Sequence, residues 1–476
     1  MFKVIVCIDN QNGIGKSNSL PWKIKEDILF FKQKTLEIKN KNKKNCVIMG
    51  RKTYQSIPKR FRPLKNRINI VLSKSNVIED KETENFKIFQ ELDDVLYFVK
   101  KNKKRIESCY VIGGSSIYKL FIEKNLINDF YINSVNKNYN CDIFFPEINL
   151  DDYKLNSSEY KVIYDYVSTR YVSFNKSIVL TFKHYIYENK YEKNYLDLMR
   201  KILYNGIEKT DRTGVGIKTI FANSLKYDIK DNKLPLLTTK NVPVRLIIEE
   251  LLWMLRGSTN AKELQEKNVH IWDGNSTRKF LDERGLNNLP EGDIGAGYGH
   301  QLRFFNAEYN DCYTDYTGKG FDQLKYVIDL LKHNPASRRI LFSYWNPNQL
   351  KNAALPPCHL LYQFFVNTNT DEISCCLYQR SSDYFLANNY NAISAILLTH
   401  ILGNICGYKP AEFTHFMADT HIYNNHFLQC EEQLKRTPTI IPQIFVNKKD
   451  TVEEYTIEDF NIINYFPQSI IRAKMN

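Results

Sequence analysis

The sharpest chemical feature of the sequence is Leu355-Pro356-Pro357-Cys358-His359, a cysteine followed at once by a histidine. Such a pair is often unremarkable, because neighbours along a strand point to opposite faces. The polar residues that follow widen the reading. Leu377-Tyr378-Gln379-Arg380-Ser381-Ser382-Asp383 gathers a guanidinium and two hydroxyls as they would gather around a phosphate. Asp211-Arg212-Thr213-Gly214 and Ser337-Arg338-Arg339 lie upstream, and Asn391 and Asp419-Thr420-His421-Ile422-Tyr423 lie downstream. Arginines in such polar settings are either solvated or bind an oxyanion, the commonest specialised use of their planar fork.

The first part of the chain holds a second set. Met49-Gly50-Arg51-Lys52-Thr53 and Ile112-Gly113-Gly114-Ser115-Ser116 each lead an apolar run into a helix-like stretch. Small residues there let backbone N–H groups approach a phosphate at a helix start, although a tight turn needs the same residues. In Leu20-Pro21-Trp22-Lys23-Ile24-Lys25-Glu26-Asp27-Ile28-Leu29-Phe30-Phe31, residues 24, 27, 28 and 31 share one helical face. Asp27 is the polar member of that apolar stripe, a costly place for a carboxylate unless it is paired or used. Glu249 and Glu250 are consecutive in the apolar run 246–257, so at most one faces a given site.

Positioning these groups requires folded domains, and 476 residues suffice for two or three of them. A content of 43% hydrophobic and 25% charged residues excludes a disordered or fibrous chain. Before residue 186, β-branched runs at 4–8, 46–50, 68–72, 110–114 and 130–135 alternate with helix-like stretches at 24–35 and 115–123. That alternation predicts a largely parallel sheet covered on both faces, with ligands at the carboxyl ends of its strands. The net charge of +13 lies wholly in residues 1–185, with 33 Lys+Arg against 20 Asp+Glu, whereas residues 186–476 balance. Charge thus divides the chain into a domain over 1–185, a short polar linker over 186–193 and a second domain over 194–476. The lysine runs at 39–44 and 100–105 lack interleaved aromatics and read as solvated loops, with nucleic-acid binding the alternative. The apolar run 392–407, interrupted by Thr399, His400 and Asn404, is too short to span a bilayer and reads as a buried helix. None of the ten cysteines has metal-site spacing, so no metal is expected, and a reducing cytoplasm is the expected setting.

Several segments in order carry a resemblance: Asn12-Gly13-Ile14-Gly15, Leu20-Pro21-Trp22 with Asp27 and Phe31, 47–53, Ser56-Ile57-Pro58, 62–67, Val71-Leu72-Ser73 and 111–118. Together with Asp142 and Phe144-Phe145-Pro146-Glu147, they resemble dihydrofolate reductase over essentially all of 1–185. The resemblance implies an α/β domain with a mostly parallel sheet. It implies that Asp27 binds the pterin amidine edge and supports protonation at N5, and that Arg67 pairs with the folate α-carboxylate. Phe31, Ile57 and Asn133 would line the same substrate site. NADPH would be held by Cys7, Ile14, Gly15, Arg51, Lys52, Thr53, Ser73, Lys74, Gly113, Gly114, Ser115 and Tyr118. Asn133 is a departure, because the family usually has a threonine bonded to the catalytic acid; an amide can also donate to Asp27.

Residues 194–476 resemble thymidylate synthase, with 235–240, Ile271-Trp272-Asp273 and Tyr298-Gly299 adding to the segments above. The resemblance implies an α+β domain whose sheet forms a dimer interface. Cys358 would attack C6 of dUMP, and C5 would then take the one-carbon unit of 5,10-methylenetetrahydrofolate. Arg212, Arg380 and Ser381 would hold the phosphate, with Arg338 and Arg339 reaching in from the second subunit. Glu250 would organise proton transfers and Tyr298 would assist proton removal. Trp272, His359 and Gln379 would belong to the substrate site, His421 and Tyr423 would bond the deoxyribose, and Asp383 the folate ring. Asn391 would read uracil, since an amide offers a donor and an acceptor where a cytosine-specific relative uses Asp. The departures are Ala296, Leu302, Ala387, Asn388-Asn389, Met417-Ala418 and the ending Ile471-Arg472-Ala473-Lys474-Met475-Asn476. Both resemblances on one chain imply a bifunctional homodimer arranged as in protozoa and plants. The alternative is an active reductase with a weakened synthase half kept as a dimer scaffold.

Overall fold

A computed structural model describes residues 2–75, 80–169, 172–211 and 213–475, without side-chain detail for 164–176. It divides into two compact units, Met1–Asn189 and Lys190–Asn476. The expected linker 186–193 holds a strand end and a helix start: the last strand of the first unit runs to Tyr187 and the first helix of the second begins at Lys190.

In the first unit the strands are β1 (Phe2–Ile8), β2 (Lys44–Gly50), β3 (Ile68–Leu72), β4 (Phe86–Phe89), β5 (Ile106–Val111), β6 (Ile127–Val135), β7 (Tyr153–Thr169) and β8 (Val172–Tyr187). They form one sheet in the order β4-β3-β2-β5-β1-β6-β8-β7. The first six are parallel, and β8 and β7 close the edge antiparallel. β3 is buried at every residue, as a strand covered on both faces must be. Helices α1 (Lys25–Leu36), α2 (Arg51–Ser56), α3 (Leu92–Lys101) and α4 (Ser115–Glu123) connect the parallel strands. The apolar stripe of α1 is not core: Ile28 is 54% exposed and Thr35 is the buried member of the helix. Asp27 and Phe31 are only half-buried, so this face lines an open cleft.

The second unit begins with α5 (Lys190–Asn205). Its sheet comprises β9 (Ile207–Lys209), β10 (Ile217–Asp228), β11 (Leu341–Ser343), β12 (His359–Asn367), β13 (Glu372–Asp383) and β14 (Lys409–Tyr423). The order is β9-β10-β14-β13-β12-β11, with β13 and β14 parallel and the other neighbours antiparallel. Alternate residues of β12, β13 and β14 face a core that includes the apolar helices α6 (Val244–Leu255) and α9 (Asn388–Cys406). α9, the run read above as a buried helix, ends where Gly407 adopts φ 86°, a left-handed stop that favours glycine. Near its start, α5 carries Glu192, 3% exposed, which accepts hydrogen bonds from the backbone and hydroxyls of both Thr238 and Thr239. The other sheet face is apolar yet open: Phe221 is 77% exposed and Phe365 67%, with Phe416 and Tyr378 beside them. Among the described residues no helix is long and apolar enough to cross a membrane.

Ala222, inside β10, holds φ 59°, a conformation that costs a residue with a Cβ about 1–2 kcal/mol. Ala222→Gly should therefore raise the stability of the second unit by about 1 kcal/mol, read as a higher urea midpoint for its unfolding.

Candidate active sites

In the first unit most of the expected ligand residues lie at the carboxyl edge of the parallel strands, whereas Arg67 precedes β3. Asp27 of α1 accepts a 2.7 Å hydrogen bond from Asn133 Nδ2 on β6, and Asn133 pairs in register with Cys7 on β1. Burial pushes the Asp27 carboxyl above its ordinary value, while Asn133, Trp22 and Cys7 pull it back down. The Trp22 indole N–H is buried and has no direct hydrogen-bond partner, yet it faces this carboxylate. Burial and the Asp27 charge together raise the Cys7 thiol far above its usual range, so this thiol stays protonated.

Phe31 and Ile57 pack against the cluster containing Val47, Met49 and Tyr54. Arg67, 7% exposed, donates to Thr35 Oγ1 at 2.7 Å and to the Lys65 carbonyl at 3.2 Å. The Thr35 hydroxyl donates in turn to the Phe31 carbonyl, so α1 buttresses the guanidinium. Thr35 was invisible in the sequence, where a helical hydroxyl looks solvated.

Four segments carry the cofactor candidates. Arg51, Lys52 and Thr53 open α2 directly after β2, and Arg51 donates to Gln55. Ser73 and Lys74 follow β3, where the Ser73 hydroxyl donates to the Ser75 carbonyl. Gly113 and Gly114 follow β5, joined by a cis peptide, and Ser115 begins α4. A Cβ on Gly114 would stand 3.3 Å from Thr53 Oγ1, so glycine keeps an open cradle between two helix starts. Tyr118 is buried and donates to the Ile5 carbonyl. Ile14 and Gly15 lie on a short strand laddered against Ile143–Phe144. Its approach is tied by Asp9, which accepts from the backbone of Gln11, Gly13 and Tyr139. The run Asp9-Asn10-Gln11-Asn12-Gly13 was the available signal for that turn.

In the second unit Cys358 sits just before β12. Its backbone N–H donates to Tyr298 Oη at 2.8 Å. Arg380, near the end of β13, donates from Nε to the Pro357 carbonyl and from Nη2 to the Pro356 carbonyl, both at 2.8 Å. The same Nη2 lies 3.9 Å from Cys358 Sγ, a cation placed to favour the thiolate. Trp345 stacks on this guanidinium at 5.6 Å, a contact that its sequence neighbourhood did not signal. The Glu250 carboxylate on α6 accepts from Trp272 Nε1 at 2.8 Å, and burial raises it to about 7. Glu249 points elsewhere and pairs with Lys267.

Asn391 lies in the first turn of α9, half-buried. Asp383 accepts from the backbone of Phe385 and Leu386. His421 bonds Asp419 at 3.3 Å and meets the Tyr423 ring edge-on; that bond is the main reason Asp419 falls to about 2. His359 and Gln379 are buried near Cys358, 7% and 1% exposed. His359 bonds Tyr362, stacks on the Tyr298 ring at 4.5 Å and is held neutral by burial, its pKa lowered to about 3. Ser381 is half-buried beside Arg380. Arg338 and Arg339 are exposed on the segment before β11. Arg338 lines a cleft of about 650 Å³ on the open sheet face, and neither Cys358 nor Arg380 belongs to that cleft. Arg212 lies outside the described residues, as does Asn476.

The departures find partners. Ala387 adopts φ −99°, which any residue tolerates. The Ala296 N–H donates to the Asn352 carbonyl, a bond proline cannot make. Asn388 donates to Ser382 Oγ and Asn389 to the Pro235 carbonyl, while the amide oxygens of both are buried with no hydrogen-bond partner among the described residues. Leu302 is fully buried, as are Met417 and Ala418. The tail is docked by Ile471, which is buried, and by His426, bonded to the Lys474 carbonyl.

Comparison with known proteins agrees with this geometry. Residues 1–176 match the dihydrofolate reductase family and residues 193–476 the thymidylate synthase family. Over 100% of this chain, the bifunctional dihydrofolate reductase-thymidylate synthase of Zea mays is 38% identical, with 96% of the maize protein covered. That of Leishmania major is 39% identical over 100% of this chain and 95% of its own. That of Paramecium tetraurelia is 39% identical over 100% and 98%. The chain belongs to the bifunctional dihydrofolate reductase–thymidylate synthase family.

Proposed function

We infer that this chain methylates dUMP to dTMP with 5,10-methylenetetrahydrofolate and reduces the dihydrofolate so formed to tetrahydrofolate with NADPH. The observation that carries the synthase reading is the Arg380 guanidinium 3.9 Å from Cys358 Sγ, beside the Glu250–Trp272 pair. The cation favours the thiolate, which adds to C6 of dUMP and turns C5 into the carbon nucleophile. Glu250, raised to about 7, populates both protonation states near neutrality and relays protons. Tyr298 assists proton loss from C5. Arg212, Arg380 and Ser381 take the phosphate, His421 and Tyr423 the sugar, Asn391 the uracil edge and Asp383 the folate ring. Trp272, His359 and Gln379 hold these groups in place from behind.

In the reductase unit, Asp27 accepts the pterin amidine edge, Arg67 the glutamate carboxylate, and Phe31, Ile57 and Asn133 flank the ring. NADPH would be held by Cys7, Ile14, Gly15, Arg51, Lys52, Thr53, Ser73, Lys74, Gly113, Gly114, Ser115 and Tyr118 and would supply the hydride. Raised by burial, Asp27 retains a proton to higher pH than a solvated aspartate and so supports protonation of the pterin.

The active species is a homodimer joined through the open face of the synthase sheet. Its exposed aromatics are what such a joint buries, and Arg338 and Arg339 then reach the second subunit's phosphate. Ten cysteines that form no disulfide among the described residues support a cytoplasmic setting. Among the described residues the departures leave Cys358, Arg380 and Glu250 close to the partners this chemistry needs, which speaks against a synthase half kept only as a scaffold.

Adding dUMP and methylenetetrahydrofolate to the protein with NADPH should consume NADPH. Cys358→Ala should lower that flux about a thousandfold or more and spare direct dihydrofolate reduction; unchanged flux would sink the synthase reading. Glu250→Gln should slow methylation about a hundredfold. Because the folded pKa of Glu250 is raised, wild-type stability is lost as pH rises from about 4.5 to about 7. The glutamine variant should therefore gain on wild type by up to about 3 kcal/mol at pH 8 and little at pH 5, in urea titrations. Mixed dimers of Cys358→Ala with an Arg338→Glu, Arg339→Glu chain should regain about a quarter of wild-type methylation from two inactive parents. No recovery would refute the shared site.

A further inference from the structure

Behind Cys358, three neighbouring strands bring buried polar residues side by side. His359 on β12 pairs in register with Gln379 on β13, and His415 on β14 pairs with Leu377, two residues along β13. Gln379 is 1% exposed and His415 fully buried. The Gln379 Nε2 group donates to the Ser381 carbonyl at 2.8 Å. A carbonyl only accepts, so this bond fixes which end of the amide is which and turns Gln379 Oε1 toward His415. His415 Nε2 lies 2.7 Å from that oxygen and must carry the hydrogen. His415 Nδ1 is then a bare lone pair, buried without a partner. Such an orphan acceptor is costly, and an apolar side chain would avoid that cost. The imidazole also stays neutral, since burial lowers it to about 3.

The strand end that His415 supports carries Arg380 and Ser381. Its front is pinned to the nucleophile segment by the Arg380 N–H on the Cys358 carbonyl and by the Arg380 side chain on Pro356 and Pro357. Its other side is laddered to β14 from Gln379 to Asp383, and the Gln379 amide adds the side-chain bond to the Ser381 carbonyl that sets the strand end next to Arg380.

We propose that His415 is a positioning residue of the synthase site: its Nε2–H locks the Gln379 amide, which holds the Ser381 backbone and thereby aims Arg380 and Ser381 at the substrate phosphate. This rests on the synthase reading above. Small displacements of positioning groups cost up to about a hundredfold, and loss of one supporting bond should cost less.

The test is steady-state methylation by the full chain. Glutamine can place an N–H where Nε2 stood, whereas asparagine cannot reach. His415→Asn should raise the dUMP KM about tenfold with kcat changed less than about threefold, and His415→Gln should restore the wild-type KM. Gln379→Leu, a second variant that does not depend on His415→Asn folding, should raise the KM as His415→Asn does. Dihydrofolate reduction should be unaltered in all three. A dUMP KM unmoved in both His415→Asn and Gln379→Leu, or raised equally in His415→Gln, would overturn the proposal even if the melting temperature falls. Wild-type chain that forms no covalent adduct with 5-fluoro-dUMP overturns the synthase reading instead, and the proposal with it.

Discussion

Both candidate sites depend on the same constraint: a half-buried carboxyl group beside a tryptophan, with few donors to hold its charge. Asp27 has the Asn133 amide and faces the Trp22 indole; Glu250 has the Trp272 indole. Enclosure raises both acids, and the donors set how far. An acid raised in this way holds a proton at a pH where the same acid in water has lost it, and so can pass one on. The folds serve that requirement: α1 and α6 each present one face of a helix to a cleft, and the neighbouring strands or loops bring the donors.

Glu192 shows what a carboxylate does when it is fully enclosed and well supplied. Its four donors from Thr238 and Thr239 make it a structural tie between α5 and the segment leading to Lys240. Burial alone is therefore no sign of function; the count of donors and the presence of a cleft separate the two cases. His415 and His359 extend the argument to imidazoles, each kept neutral by burial behind a reactive thiol.

The charge excess of the first unit has a partly local explanation. The lysine runs at 39–44 and 100–105 meet at the amino-terminal edge of the sheet, where the Lys44 N–H bonds the Arg105 carbonyl and Lys43 reaches the Lys103 carbonyl. The ligand candidates Arg51 and Lys52 sit at the opposite, carboxyl edge, whereas Arg67 precedes β3 and is buried against α1. Bulk charge marked the domain boundary, whereas individual arginines mark the sites, because phosphate and carboxylate recognition depends on fork geometry at hydrogen-bond distance.

The parallel strands, the helices at 115–123 and 392–407, and the motifs that nominate the candidate site residues were all legible in the chain. Each is written in local period or in a contiguous motif. The α1 stripe misled as to core because helical spacing reports which residues share a face, not what lies opposite that face. Thr35, Trp345 and His415 were silent for a related reason: their partners Arg67, Arg380 and Gln379 lie more than thirty residues away in the chain. The sequence determined which groups exist and which segments are helix or strand. Only the tertiary structure decided which acids are enclosed, which amide end faces which neighbour and which sheet face stays open. Those depend on contacts between distant segments, and no local pattern encodes them.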